Sequence, residues 1–272
     1  MATPIGNRDD ITLRALNILG QVDLIAAEDT RHTGRLLVHH NLKRPLIAYH
    51  EHNESERTPD LIARLKAGVS IALVSNAGTP SVSDPGFRLI QAAIGDGINV
   101  IPIPGVSAVI TALSVAGLPT DAFVFVGFLA PKKAKRLKQL QELADLPRTI
   151  VFYESPRRIL SLLAEIISVM GDRSAVLCRE MTKLYEEFIR GQLSDILARL
   201  TSRSVIKGEC TLLVTGNRET KDVSLEAVRS EIAKSLETTK SSLSDVSKTI
   251  AKKYGLPKNI VYDEALKLKR ET

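Results

Sequence analysis

The sequence has little cysteine and no long hydrophobic run, and both shortages exclude classes of protein. Cys178 and Cys210 are the only cysteines among 272 residues, too few for a disulfide framework, and no CxxC or His/Cys spacing suggests a zinc site. Both lie in apolar, β-like stretches, which predicts buried thiols. No apolar run approaches the roughly 20 residues of a membrane-spanning helix, and residues 1–8 lack the features of a signal peptide. We therefore expect a cytoplasmic protein with no membrane partner and no bound metal.

Two common nucleotide-binding signatures are also missing. The chain has neither GxGxxG nor GxxxxGK[ST], so neither a dinucleotide fold of the usual kind nor a P-loop ATPase is supported. Its first loop is instead Ala2-Thr-Pro-Ile-Gly-Asn7. Pro4 favours a tight turn there, and Gly6 permits close approach of the main chain to a ligand.

Positive charge is concentrated in the second half of the chain. The net charge is +6, and residues 119–218 hold 16 Lys and Arg against 11 Asp and Glu. A cluster formed by Lys132, Lys133, Lys135, Arg136 and Lys138 stands out. It indicates either a solvated basic loop or a surface for a polyanion.

The alternation of apolar runs with amphipathic stretches predicts an α/β fold. In residues 1–118, strands at Leu24–Ala27, Val69–Val74 and Val100–Ile103 alternate with helices, which is typical of a largely parallel sheet. Residues 119–218 repeat the pattern and predict a second α/β domain. Residues 222–272 predict three helices with a glycine-bearing turn after Tyr254, either a helix-turn-helix or a plain helical hairpin packed on the body.

Ligands of open α/β sheets bind beyond the carboxyl ends of the strands, so the loops after the strands are the candidate sites. The loop Ser75–Gly86 contains two Gly, two Pro and several small residues, more than a structural turn needs, which indicates main-chain contacts to a ligand. In Pro104–Ala108, Ser107 is a helix N-cap or a ligand contact. His50 and His52 stand among glutamates, a pattern that we interpret as a solvated polar loop.

Two further loops carry charge directly after apolar strands. In Glu28-Asp-Thr-Arg-His-Thr33, Asp29 either pairs with Arg31 or acts in a site. In Arg179-Glu-Met-Thr-Lys183, Glu180 and Lys183 form an ion pair or poise a hydroxyl nucleophile.

Taken together, these loops resemble the tetrapyrrole methylase superfamily of S-adenosylmethionine enzymes, and within it the branch that methylates ribosomal RNA. Seven segments match in the family's order and span nearly the whole chain: Ala2–Asn7 with Asp10–Thr12, Ala27–Thr33, Ser75–Gly86, Pro104–Ala108, Phe152–Pro156, Arg179–Lys183 and Lys207–Glu209. One position departs from the pattern, because Asn76 stands where the family usually has Asp. An amide keeps an acceptor oxygen but carries no charge.

The resemblance implies two α/β domains with S-adenosyl-L-methionine bound between them, a helical C-terminal appendage, and a homodimer. It implies that the cofactor contacts are Pro4, Ile5, Gly6, Ala77, Gly78, Thr79, Val82, Ser107, Ala108, Tyr153 and Glu154.

The implied reaction is methyl transfer to the ribose 2′-hydroxyl of a cytidine in 16S rRNA, in the decoding region of the small ribosomal subunit. The protein has to align the hydroxyl oxygen with the methyl carbon and the sulfur, and it has to take up the hydroxyl proton. Asp29 and Glu180 are the candidates for the proton, with Arg31 and Lys183 orienting the ribose-phosphate. The basic second half is then expected to hold RNA phosphates, with an affinity that falls as salt rises.

Two alternatives remain open. A siroheme or corrin C-methyltransferase has the same fold, but it typically carries GxGPGD and GGDP in its first two loops, where this chain has Thr3–Asn7 and Ala77–Pro80. A nonenzymatic helix-turn-helix nucleic-acid-binding protein would rely on residues 243–268, although the tail as a whole is only weakly positive.

Overall fold

A computed structural model of the chain describes residues 1–217, 225–238, 242–254 and 258–271. The chain forms two compact units, Met1–Asn217 and Arg218–Thr272. The strands of the first unit are β1 (Leu24–Ala27), β2 (Leu46–Ala48), β3 (Ile71–Val74), β4 (Phe123–Phe128), β5 (Thr149–Glu154), β6 (Ser174–Arg179), β7 (Glu187–Gln192) and β8 (Cys210–Val214). Its α-helices are α1 (Leu13–Gln21), α2 (Thr30–His39), α3 (Glu54–Lys66), α4 (Phe87–Gly95), α5 (Ala108–Ala116), α6 (Lys133–Leu143), α7 (Ile159–Met170) and α8 (Leu193–Thr201).

The first sheet has three parallel strands in the order β2-β1-β3. All four residues of β1 are buried, with Ile25 and Ala27 packed in one apolar cluster and Leu24 and Ala26 in another. Burial on both faces explains why this strand is a continuous apolar run. The predicted parallel sheet is confirmed, and the carboxyl ends of its strands lie along one edge.

The second sheet has five strands in the order β4-β5-β8-β6-β7. Only β4 and β5 are parallel, and the remaining pairs are antiparallel. All five residues of β8, in the middle of the sheet, are buried, and α7 and α8 contribute to the same core. Cys178 and Cys210 are buried free thiols in this sheet, as predicted.

Helix α5 packs on the second sheet, although it precedes the predicted domain boundary at residues 118/119. Val109, Ala112 and Leu113 share an apolar cluster with Val151 and Leu213 of β5 and β8. The helix ends at Gly117, whose left-handed conformation (φ 70°) is the usual way for a helix to stop. The two predicted α/β domains therefore share part of their core, and the boundary between them stays a prediction.

The second unit contains the three helices that the sequence predicts in the tail. They are α9 (Leu225–Thr238), α10 (Leu243–Tyr254) and α11 (Lys258–Glu271), and they pack around Val228, Ile232, Val246, Ile250 and Val261. Most of the turn predicted between the last two helices lies outside the described residues. Nowhere in the described chain is a helix long and apolar enough to cross a bilayer.

The prediction of a strand at Val100–Ile103 is wrong. The segment has no strand pairing, and Ile101 is 61% exposed. Pro102 and Pro104 have no N–H, so they cannot donate to a ladder. One hydrogen bond, from the Ala2 N–H to the Ile103 carbonyl (3.2 Å), still attaches the segment to the N-terminal loop.

Candidate active site

The N-terminal loop is paired with the loop that follows β3. The Thr3 N–H donates to the Gly78 carbonyl (2.8 Å), and the Gly78 N–H donates to the Thr3 carbonyl (2.9 Å). Gly78 has a φ of 78°, which favours glycine. This pairing brings Pro4, Ile5 and Gly6 next to Ala77 and Thr79, as the predicted cofactor set requires.

Gly6 is pressed against the loop that follows β6. A Cβ at this position would lie 2.9 Å from the Met181 carbonyl oxygen, 2.6 Å from Thr182 Oγ1 and 2.5 Å from Lys183 Cγ. The next residue makes a hydrogen bond across the same contact, from the Asn7 N–H to Thr182 Oγ1 (2.9 Å). The absence of a side chain at Gly6 therefore permits the first loop and the loop of the second sheet to meet.

The start of α5 meets the same loops, and we call the junction of the N-terminal loop, the loop after β3 and the start of α5 the cofactor cleft. Ser107 occupies the N-cap position, but its hydroxyl makes no capping hydrogen bond, so capping does not account for the side chain. Thr79 Oγ1 lies 3.5 Å from the Val106 carbonyl, which connects the second loop to the same helix start. The first N–H groups of a helix favour a negatively charged ligand group.

Tyr153 extends from the end of β5 toward these loops. Its ring packs edge-on against Phe125, with the ring centroids 4.9 Å apart. Burial raises the pKa of Tyr153 to about 12, and the charge of Asp84 adds to the rise, while a hydrogen bond with the backbone of Val109 opposes it. The hydroxyl of Tyr153 is thus near both the start of α5 and Asp84.

The predicted cofactor residues Val82 and Glu154 differ from the others. Val82 is 39% exposed. The Glu154 side chain is fully buried, and its Oε1 accepts hydrogen bonds from the Ser155 N–H (2.6 Å) and from Arg158 (2.7 Å). Its Oε2 is buried and has no hydrogen-bond partner among the residues that the structure describes. The contacts of Glu154 are therefore those of a residue that holds the end of β5, and one acceptor oxygen is left over.

A cavity of about 840 Å³ opens at the carboxyl ends of the first sheet and is lined by parts of the loops after β1, β2 and β3. Within residues 1–217, its lining includes none of the eleven predicted cofactor residues. Its volume is within the range of small-molecule sites. The charged and polar groups that line it are Glu28, Asp29, Thr30, Arg31, His50, Glu51, His52, Glu54, Asn76, Ser81, Ser83 and Asp84.

Glu28 and Asp84 are two carboxyl groups of this cavity that the sequence analysis did not single out. Glu28 Oε2 accepts a hydrogen bond from the Asn76 N–H (3.0 Å). The pKa of Asp84 is raised from 3.8 to about 6, first by burial and then by the charge of Glu28, and only the Ser75 hydroxyl opposes the rise. Asn76 Oδ1 and Ser81 Oγ, in the lining of the same cavity, are buried and have no hydrogen-bond partner within the described part of the chain.

The raised pKa of Asp84 predicts a gain in stability when its charge is removed. The folded protein binds the Asp84 proton more tightly than the unfolded chain, so this group lowers stability as pH rises from about 4 to about 6, and the loss is complete above that window. The rise corresponds to at most about 3 kcal/mol, and about 1–2 kcal/mol is expected after allowance for partial exposure. We expect Asp84→Asn to raise the free energy of unfolding by about that much at pH 8 and by little at pH 4. Urea unfolding of both proteins at the two pH values tests this, and an equal change at both would contradict it.

Asp29 is the N-cap of α2. Its Oδ1 accepts hydrogen bonds from the N–H groups of Arg31 (2.8 Å) and His32 (3.4 Å), and these bonds lower its pKa. The predicted contact with Arg31 thus goes to its backbone. The side chains of Asp29 and Arg31 are exposed and line the cavity.

Glu180 and Lys183 form the ion pair that the sequence analysis considered. Lys183 Nζ donates to Glu180 Oε1 (2.8 Å) and lies 3.1 Å from Glu209 Oε2. Burial works against the charge of both groups, but these bonds, with one from the Glu209 N–H to Glu180, outweigh it. The pKa of Glu180 is therefore lowered and that of Lys183 is raised. Within residues 1–217, no hydrogen bond or ion pair joins Glu180 or Lys183 to Asp29 or Arg31, so the four predicted catalytic residues form two separate pairs.

Comparison with known proteins gives one family. The model of the tetrapyrrole (corrin/porphyrin) methylases matches residues 2–197. A protein of Synechocystis named ribosomal RNA small subunit methyltransferase I is 45% identical over 274 residues, covering 100% of this chain and 98% of the relative. A protein of the same name from Micromonospora olivasterospora is 42% identical, covering 96% of this chain and 84% of the relative.

Solved structures agree with the fold. A cobalt precorrin-4 methyltransferase superposes with a TM-score of 0.60 at 20% identity, covering 79% of this chain and 92% of that one. The uroporphyrin-III C-methyltransferase of Thermus thermophilus complexed with S-adenosylhomocysteine superposes with a TM-score of 0.54 at 17% identity, covering 79% and 94%. At these identities the likeness concerns the fold alone.

Proposed function

We propose, from the premise that this chain belongs to the tetrapyrrole (corrin/porphyrin) methylase family, that it is an S-adenosylmethionine-dependent methyltransferase of small-subunit ribosomal RNA. Relatives of that name are 42–45% identical over 96–100% of the chain. The observation that carries the proposal is the pairing of the predicted cofactor loops, together with a polar cavity whose lining residue Asp84 acts through its charge on the Tyr153 hydroxyl. A methyl donor and a nucleoside acceptor would then be neighbours.

The cleft fits the cofactor. Gly78 holds the loop after β3 against the N-terminal loop, the Ser107 hydroxyl makes no capping hydrogen bond, and the N-terminus of α5 favours a carboxylate. We assign the predicted set to this role, namely Pro4, Ile5, Gly6, Ala77, Gly78, Thr79, Val82, Ser107, Ala108, Tyr153 and Glu154. When bound, S-adenosylmethionine supplies an activated methyl group on a positively charged sulfur.

The cavity at the first sheet is proposed to receive the target nucleoside, a cytidine of 16S rRNA, whose ribose 2′-hydroxyl is methylated. Arg31 is exposed at the cavity and can pair with a phosphate of the RNA. Lys183 stays a cation because two carboxylates surround it, so it can hold a phosphate or the hydroxyl oxygen but does not accept a proton. Asp29 and Glu180 are the proton-handling candidates that the sequence supplies.

The RNA backbone is proposed to contact the basic cluster of the second half. Lys132, Lys133, Lys135 and Lys138 are exposed at the start of α6 and along it, whereas Arg136 is buried. Four exposed ammonium groups on one helix suit the phosphates of an RNA strand.

Dimerisation and the cytoplasmic location stay predictions. Large apolar side chains are exposed on and around α5 and after β6, including Ile110 (57%) and Leu184 (89%), and they would be covered by a second copy of the chain.

Methyl transfer with labelled cofactor tests the function. Purified protein is incubated with tritiated S-adenosylmethionine and small ribosomal subunits from cells that lack the corresponding activity, and the label is traced to a nucleoside after digestion of the RNA. We expect 2′-O-methylcytidine from 16S rRNA. Label on a base, or S-adenosylhomocysteine binding without any labelled RNA, would overturn the assignment, and tetrapyrroles would then be the next substrates to test.

A further inference from the structure

We propose that Asp84 accepts the proton of the ribose 2′-hydroxyl, because it is the carboxyl group that faces both the nucleoside cavity and the cofactor cleft. The inference rests on the proposed function and concerns the residue that completes the reaction. It differs from the two assignments that the sequence suggested, Asp29 and Glu180.

Asp84 is placed to interact with groups on two sides. Asp84 lines the cavity at the carboxyl edge of the first sheet, and its charge acts on the Tyr153 hydroxyl at the end of β5. On the cavity side it is close enough to Glu28 for the two charges to interact. A hydroxyl positioned for attack on the cofactor methyl has to lie near both the cavity and the predicted cofactor residues, and Asp84 lines the cavity while its charge reaches Tyr153.

Three other carboxylates near the site accept hydrogen bonds from backbone N–H groups or from a lysine. Asp29 Oδ1 accepts from two N–H groups of α2, and Glu180 accepts from Lys183 and the Glu209 N–H. Glu28 accepts from the Asn76 N–H. No ion pair among the described residues involves Asp84. The donor that acts on Asp84 is the neutral Ser75 hydroxyl, so this carboxyl group keeps lone pairs for a substrate hydroxyl without being held by a cation.

Asp84 also binds a proton more tightly than Asp29 or Glu180. Hydrogen bonds lower the pKa of Asp29 and of Glu180, so both are weaker bases than an ordinary carboxylate. Burial and the charge of Glu28 raise the pKa of Asp84 to about 6. A general base is most effective when its pKa is near the working pH, because it is then ionised and still binds a proton well.

The loop around Asp84 is held firmly. Ser81 and Ser83 have positive φ angles (70° and 64°), and Gly86 has φ 136°. A Cβ on Gly86 would lie 2.7 Å from Ser81 Oγ and 2.8 Å from Leu73 Cδ2, so the loop closes on itself and on β3. A strained and closely packed loop is the kind of element that fixes a reacting group.

The step balances without a further reactant. The 2′-oxygen forms a bond to the methyl carbon as the carbon–sulfur bond breaks, and the bonding pair stays on sulfur, which becomes neutral. The hydroxyl proton passes to Asp84, which becomes a neutral acid and releases the proton to solvent after the product leaves.

Other titratable groups face Asp84 and have to be separated from it. Glu28 comes from the end of β1 and Tyr153 from the end of β5. Across the cavity are Asp29, Arg31, His50, Glu51, His52 and Glu54. Because several titratable groups face the same cavity, a pH profile of the wild type alone does not identify the base.

Single-turnover methyl transfer to small subunits, followed from pH 5 to pH 9, tests the assignment. For the wild type we expect a rate that rises about tenfold per pH unit below a midpoint near 6 and is level above it. Asp84→Asn is expected to lower the rate at pH 7.5 by about 10²- to 10⁴-fold and to remove the midpoint. Asp84→Glu is expected to recover part of the rate together with a midpoint. S-adenosylhomocysteine affinity, measured by calorimetry, should change less than threefold in both variants, which shows that they are folded.

Asp60→Asn is the matched control, because Asp60 is an exposed surface residue of α3 paired with Arg64. It should keep the wild-type rate and midpoint. The inference is overturned if Asp84→Asn keeps the midpoint or stays within threefold of the wild-type rate, or if Asp29→Asn or Glu180→Gln removes the midpoint instead. These outcomes presuppose that the wild type labels the RNA, so the absence of wild-type label counts against the proposed function and is distinguishable from a failure of Asp84.

Discussion

Replacing Arg136 with methionine is expected to lower the free energy of unfolding by about 3–5 kcal/mol at pH 7, because it leaves a carboxylate buried without its partner. Arg136 is only 6% exposed. Its Nε and Nη2 donate to the two oxygens of Glu165 (2.5 and 2.8 Å), and its Nη1 donates to the carbonyls of Ala130 (3.0 Å) and Pro131 (2.8 Å). All these acceptors lose their donor at once in the variant.

The loss should depend on pH in a defined direction. The hydrogen bonds from Arg136 hold the pKa of Glu165 below its ordinary value of 4.5. The stability contributed by this pair is therefore present above about pH 4.5 and is lost as pH falls through the lowered pKa of the folded state. Without Arg136, the buried carboxyl takes up a proton more easily, so the destabilisation by Arg136→Met should be smaller at pH 4 than at pH 7. Urea unfolding at the two pH values measures both effects.

Lys135→Met provides the matched control, because it removes a positive charge one residue away on the exposed side of α6. It should change stability by less than about 0.5 kcal/mol. It should instead weaken RNA binding and reduce the slope of log affinity against log salt by about one. Similar stabilities for the two variants would show that the Arg136–Glu165 pair contributes little. A salt slope that is unchanged by Lys135→Met would remove α6 from the RNA surface.

The basic cluster shows where the sequence stops being informative. Its five positive residues look alike in sequence, and the helical spacing does not reveal which one is turned inward. The difference depends on Glu165, which is 29 positions away on α7. Sequence patterns predict that such a cluster exists, whereas its division into one structural arginine and four exposed lysines follows from tertiary packing.

The secondary structure shows the same difference between what local sequence signals predict and what tertiary contacts decide. Leu24–Ala27, Leu243–Tyr254 and the helix that stops at Gly117 were predicted from local signals, namely a buried apolar run, a helical period and a left-handed glycine. Strands β2 and β7 were missed, since the first has three half-buried residues and the second mixes charged and apolar ones. The strand expected at Val100–Ile103 satisfied the apolar pattern but contains a proline. The two missed strands depend on their partners in the sheets, whereas the wrongly predicted strand contains a local signal, Pro102, that argues against pairing.

The sequence predicts which loops form the site, but it does not predict which carboxyl groups have unusual proton affinity there. The segments that meet at the cofactor cleft carry unusual Gly, Pro and small residues, which mark them in the sequence. Asp84 was part of a recognised loop, yet its raised pKa depends on burial in the folded chain and on the charge of Glu28, 56 positions earlier. Asp29 attracted attention through its charge, whereas its contacts are those of a helix cap, and α2 itself had not been predicted.

Replacing Gly6 with alanine is expected to weaken S-adenosylhomocysteine binding by about 5- to 150-fold, which corresponds to the roughly 1–3 kcal/mol that overpacking costs. The added Cβ would lie 2.6 Å from Thr182 Oγ1 and 2.9 Å from the Met181 carbonyl oxygen. A side chain can turn away, but the carbonyl is part of the backbone. The first loop would therefore move off the second sheet, with loss of the hydrogen bond between the Asn7 N–H and Thr182 Oγ1.

The loop opposite Gly6 has little freedom to yield. Glu180 and Thr182 both have positive φ angles (52° and 65°), which is rare for a β-branched residue such as threonine. The Thr182 N–H is held by Glu186 Oε2 (2.7 Å), and Glu180 is held by Lys183. Because this side of the contact is already strained and bonded, the displacement should fall on the N-terminal loop, where the cofactor is proposed to bind.

Calorimetric titration with S-adenosylhomocysteine measures the effect, and Gly95→Ala is the control. Gly95 is the last residue of α4, a Cβ there meets nothing within 4 Å, and an alanine in a helix is if anything stabilising. The double variant Gly6→Ala, Thr182→Gly separates the two contacts. It removes the clash with Oγ1 and the strain at residue 182 but leaves the Met181 carbonyl in place. If the clash with Thr182 causes the loss, the double variant should recover part of the affinity. If Gly6 matters only for the conformation of its own turn, the double variant should recover none. Wild-type affinity in Gly6→Ala would mean that the N-terminal loop can leave this contact without disturbing the cofactor, and its residues would then have to be removed from the cofactor site.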